Sequence, residues 1–87
     1  MKKYHFSEYD GNAGKDLLFD TKEEALDFAR YSWNHTTPKE RERLSWCYVA
    51  EMELTEAEVE AFNRGDCPDE VENRKRVIWN MGEEVKL

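Results

Sequence analysis

The imidazoles of His5 and His35 and the thiols of Cys47 and Cys67 are the side chains of this sequence best suited to ligating a metal or attacking an electrophile. Metal sites draw ligands from short repeats such as C-x-x-C, and a thiol nucleophile needs a base beside it. These four residues are separated by thirty, twelve and twenty positions, so neither pattern is written locally. Cys47 falls between Trp46 and Tyr48, the setting of an inert buried thiol, and Cys67 lies in an acidic loop that gives it no lowered pKa. His35 ends a helix, where a cation complements the dipole. His5 occupies the outer side of a strand, where solvation is expected. Carboxylates number 20 among 87 residues, so close pairs arise by chance and assign no general acid or base. Gly11 and Gly14 form Gly-x-x-Gly without the lysine and helix start of a phosphate loop. No catalytic, cofactor-binding or metal-ligating residue is therefore expected, no cofactor is implied, and the chain is not read as an enzyme.

Charge, by contrast, is concentrated. Glu51, Glu53, Glu56, Glu58, Glu60, Asp66, Asp69, Glu70 and Glu72 face Arg64 alone, so residues 51–72 carry −8 of a total charge of −7. A solvated helix face, with Glu56 and Glu58 favoured at a helix N-terminus, is the plain reading of such a run. The functional alternative is a surface that docks on a basic, nucleic-acid-binding protein, where complementary charge steers association. Arg74-Lys75-Arg76 follows at once and would neutralise part of the patch through cross-strand pairs. A pI of about 4.8 argues against direct contact with nucleic acid.

The elements that must position these groups are legible from spacing. Lys3 to Tyr9 alternates, with Tyr4 and Phe6 on one side, and Asp10 to Gly14 supplies a turn. Leu17-Leu18-Phe19 reads as a short strand. Thr21-Lys22-Glu23-Glu24, Thr37-Pro38-Lys39-Glu40 and Thr55-Glu56-Ala57-Glu58 are capping boxes that start three helices. The first carries Ala25, Leu26, Ala29 and Trp33 on one stripe, and Asn63-Arg64-Gly65 ends the third. Trp46 to Leu54 is the clearest strand, with Trp46, Tyr48, Ala50, Met52 and Leu54 on one side. Residues 74–81 fit a strand through Val77-Ile78-Trp79 or a helix bracketed by Asp69 and Gly82, and the β-branched and aromatic run favours the strand. Val85 and Leu87 would return as an edge strand.

Together these predict a single domain spanning residues 1–87 of the α+β class, a small antiparallel sheet of three to four strands with the helices packed on one face. The expected core is Tyr4, Phe6, Leu26, Ala29, Trp33, Trp46, Tyr48, Met52, Phe62, Val77 and Trp79, and loss of Trp33 or Trp46 is expected to unfold it. Aromatic content of 13% excludes a disordered polymer, and no apolar run approaches the length of a membrane span. Two cysteines are too few for a secreted disulfide scaffold, which predicts a cytoplasmic protein.

Thr21 to Ala29, continuing through Trp33-Asn34-His35-Thr36-Thr37-Pro38-Lys39-Glu40, resembles small uncharacterised acidic proteins carried by phages and mobile elements of gut-dwelling bacteria. That resemblance implies a mobile-element accessory protein, a class that includes acidic host-directed inhibitors. Two hypotheses follow. The first is a non-catalytic protein-binding module that presents residues 51–72 to a basic partner. The second is a small enzyme or ligand-binding domain whose site assembles from scattered residues, which a pocket lined by His5, His35 or Cys67 would favour. A homodimer paired through exposed sheet edges is a third outcome, and no membrane association is expected.

Overall fold

The computed structural model describes residues 1–66 and 69–85, with Asp69 and Glu72 described by their backbone. Cys67 and Leu87, and the expectations attached to them, lie outside the described residues. The element order is β1 (Lys2–Tyr9), β2 (Gly14–Phe19), α1 (Lys22–Asn34), α2 (Pro38–Arg43), β3 (Trp46–Glu53), α3 (Glu56–Asn63), α4 (Asp69–Arg74), β4 (Arg76–Asn80) and β5 (Glu83–Glu84). The strands form one antiparallel sheet in the order β2-β1-β3-β4-β5, so the fold is α+β.

The threonines act where their spacing places them. Thr37 and Thr55 close full capping boxes with Glu40 and Glu58. Thr21 accepts from the Glu24 amide, but Glu24 accepts from the Thr21 hydroxyl rather than its amide. In the β1–β2 turn the Asp10 carboxylate accepts from the amides of Asn12 and Ala13. Between β4 and β5, Met81 and Gly82 have φ of 48° and 93°. Two successive positive φ values make the tight hairpin turn whose twist matches that of the strands.

Residue register divides the sheet into two faces. Phe6, Val49 and Trp79 are paired in one row and buried with Cys47, Ala25, Leu26 and Ala29, so α1 covers this face. Met52 and Leu54 project to the opposite face, where Val71 of α4 and Val59 and Phe62 of α3 pack on them. The sheet thus has five strands and helices on both faces: α1 covers Phe6, Cys47 and Val49, and α3 and α4 cover Met52 and Leu54, because the apolar side of the β3 end lies on the same face as the polar side of β1 and needs cover too. The main core corrects the expected one. Trp46 is 42% exposed, and Tyr48, Phe62 and Val77 are half-buried, whereas Cys47 and Val49 lie beneath α1.

The pairing of β3 with β4 contains a bulge. Val49 faces Trp79 while the next residue, Ala50, faces Val77, which leaves Ile78 as an extra residue. A bulge turns the strand so that residues two apart no longer share a side. Trp79 therefore points at α1 while Val77, and Lys75 two residues before it, point to the opposite face. The C-terminal return expected at Val85 and Leu87 forms earlier, at Glu83–Glu84, and the Val85 amide still bonds the Ile78 carbonyl.

Candidate functional site

The face opposite α1 is only partly covered. α3 and α4 seal the end near Met52 and Leu54, and the rest opens into a cavity of about 530 Å³ lined by His5, Ser7, Asp16, Trp46, Tyr48, Phe62, Gly65 and Lys75. That volume lies within the range of small-molecule sites. The floor is a row of directly opposed residues, Asp16 on β2, Ser7 on β1 and Tyr48 on β3. Opposed residues of paired strands share a face, so all three aim into the cleft. His5 and Trp46, two positions along β1 and β3, join them by the period of two.

The polar groups are held in pairs. His5 is buried, 2% exposed, with its Nε2 2.8 Å from Oδ1 of Asp16. The imidazole stands edge-on to Phe62 and Tyr48, with ring centroids 4.7 and 5.8 Å away. Trp46 stacks on Tyr9 and donates its indole N–H to Ser7 Oγ at 2.9 Å. At the far end, Lys75 Nζ donates to the Tyr48 hydroxyl at 2.7 Å and lies 4.5 Å from the centroid of that ring. The cleft therefore combines aromatic surface, a carboxylate–imidazole pair and an ammonium–phenol pair. Such a site can bind and orient a small molecule in a largely apolar setting.

His5 was expected to be solvated. Its burial follows from β2, whose Leu18 is paired with it, and from the Phe62 ring above it. His35 lies elsewhere, stacked on Tyr31 with Nδ1 2.8 Å from the Tyr31 carbonyl. Cys47 is buried on the α1 face, where burial and then the Glu8 carboxylate push its thiol up to about 12. Among the described residues no three His, Cys, Asp or Glu side chains converge on a metal-sized site.

The acidic residues singled out by sequence do not all lie on one side of the sheet. Glu51 and Glu53 belong to the α1 side of β3, whereas Glu56, Glu58, Glu60 and Glu70 belong to helices on the other side. Glu51 is 3.4 Å from Lys2 and 3.3 Å from Arg76, its cross-strand neighbour. Glu53 is 3.1 Å from the Met1 amino group. Glu58 is bonded by Arg74, which ties α3 to α4, and its carboxyl is held below the usual range by the Thr55 amide and then by Arg74. Glu56, Glu60, Asp66 and Glu70 are exposed, and Asp69 and Glu72 are placed by the α4 backbone.

Sequence reasoning named none of the cleft residues as a site except His5, as a condition. A signal existed in the unusual polar alternation His5-x-Ser7 opposite Asp16, but it required the register of three strands. No described helix is long and apolar enough to cross a membrane. No protein-family model matches the sequence, no curated protein matches it, and no solved structure matches the fold.

Proposed function

We propose that this chain is a small-molecule-binding domain whose ligand occupies the cleft between β1, β2, β3 and α3. The observation that carries this reading is the cavity itself, about 530 Å³ and furnished with buried His5 and Ser7 beside exposed aromatic surface. A small domain ordinarily fills its second sheet face with side chains or turns it to water. Here α3 bridges over a space instead. The competing reading, an acidic surface that docks on a basic protein, has less support, because Glu51, Glu53 and Glu58 are already paired with cationic groups, and Glu51 and Glu53 lie on the opposite side of the sheet from the acids of α3 and α4.

Titration of 15N-labelled protein with a set of aromatic fragments tests the proposal. Hits are expected to move the Trp46 indole N–H and the amides of Ser7 and Gly65 while leaving the Trp79 indole in place. Replacement Ser7→Leu, which fills the floor of the cleft, is expected to abolish those shifts while the Trp79 signal reports an intact core. Shifts scattered over the surface, or hits that survive Ser7→Leu, would overturn the reading.

A further inference from the structure

The polar groups of the cleft are distributed along its length. Asp16 stands at the β2 end, with its carboxylate 58% exposed although one oxygen meets His5. Lys75 stands at the β4 end, held against the hydroxyl and ring of Tyr48. Between them lie the Ser7 hydroxyl and the rings of Trp46, Tyr48 and Phe62. Asp16 and Tyr48 are separated by two strand spacings, about 10 Å, and the Tyr48 side chain extends the distance to Lys75.

From this arrangement we infer that the ligand is an elongated amphoteric molecule, with an ammonium or other strong donor at Asp16, a carboxylate at Lys75 and a planar apolar body between. The inference rests on the cleft being a binding site. A carboxylate at the Lys75 end accepts from the ammonium and from the Tyr48 O–H, which is the donor that phenol retains while its oxygen accepts from Lys75. A cation at the other end meets the outward oxygen of Asp16, whose inward oxygen faces His5. The two ends cannot be exchanged without placing carboxylate on carboxylate and ammonium on ammonium, so the cleft fixes direction as well as composition. The bulge at Ile78 makes this polarity available: in a regular ladder Lys75 would share the side of Trp79 and face α1.

Four probes with one biphenyl body separate the terms. They are 4′-(aminomethyl)biphenyl-4-carboxylate, its 4′-methyl analogue that keeps only the acid, the 4-methyl analogue that keeps only the amine, and a neutral biphenyl alcohol. Followed by the Ser7, Gly65 and Trp46 signals, the zwitterion is expected to bind at least about tenfold more tightly than the alcohol, one charge-assisted contact being of that order. Asp16→Asn should lower affinity for the zwitterion and the amine without changing that for the acid, and Lys75→Met should do the converse. The two variants control each other, since a general loss of fold would weaken all four probes and spread beyond the cleft signals. If the alcohol binds in the cleft as tightly as the zwitterion, or if neither variant discriminates among the probes, the polarity is refuted and the binding cleft stands. If no probe moves the cleft signals, both readings fall.

Discussion

A Cβ on Gly82 would lie 2.5 Å from the indole nitrogen of Trp33, and the backbone there has a φ of 93°. Both facts oppose any side chain. Gly82→Ala is expected to cost about 1–3 kcal/mol in strain and to lower the thermal midpoint by roughly 4 °C or more; an unchanged midpoint in a calorimetric scan would refute it. Trp33 owes its anchoring role to this contact, to Trp79 at a centroid distance of 6.2 Å and to Arg41 at 4.3 Å above its ring. Its place was legible in the spacing of α1. Trp46 was not legible in the same way, since alternation divides β3 into two sides but says nothing of which side α1 will cover. Cys47 and Val49 went beneath the helix, where they pack with Ala25, Ala29, Phe6 and Trp79.

Among elements, the helix starts were the most readable feature, because a threonine followed three residues later by glutamate satisfies two amides whatever the tertiary context. Thr55→Ala is expected to cost about 1 kcal/mol and to speed amide exchange in α3 more than in α1, as measured by hydrogen exchange at matched temperature. Equal effects on both helices would mean that packing, not the cap, holds α3. The least readable element was β4. Arg76 to Asn80 contains no glycine to announce a bulge, so a period of two put Val77 and Trp79 on one side. The structure divides them, and that half-turn delivers Lys75 to the cleft. The cleft was hidden for the same reason: Ser7, Asp16 and Tyr48 are distant in sequence, and only strand register makes them neighbours.

For the whole molecule, opposite titrations bound the range of stability. Glu58 and Asp10 are lowered from 4.5 and 3.8 by backbone amides, so what they contribute is present above those values and lost as the pH falls through their folded pKa. Cys47 is raised from 9.0 to about 12, so its contribution is present below 9.0 and lost as the pH climbs between the two. Urea midpoints are expected to fall toward both extremes, and Cys47→Ala should flatten the alkaline limb; identical alkaline slopes in the two proteins would refute the assignment. The class and the antiparallel sheet could be read from element order, whereas the division of labour between faces could not, because it depends on how far α3 and α4 extend over a sheet five strands wide. That division also gives the molecule an optical asymmetry. Trp33 and Trp79 sit edge to face on the α1 side, while Trp46 lies on the cleft side, partly open to solvent and stacked on Tyr9. Emission from Trp46 is therefore open to collisional quenchers that the buried Trp79 is shielded from, and a single ultraviolet excitation carries separate reports on the cleft and on the core.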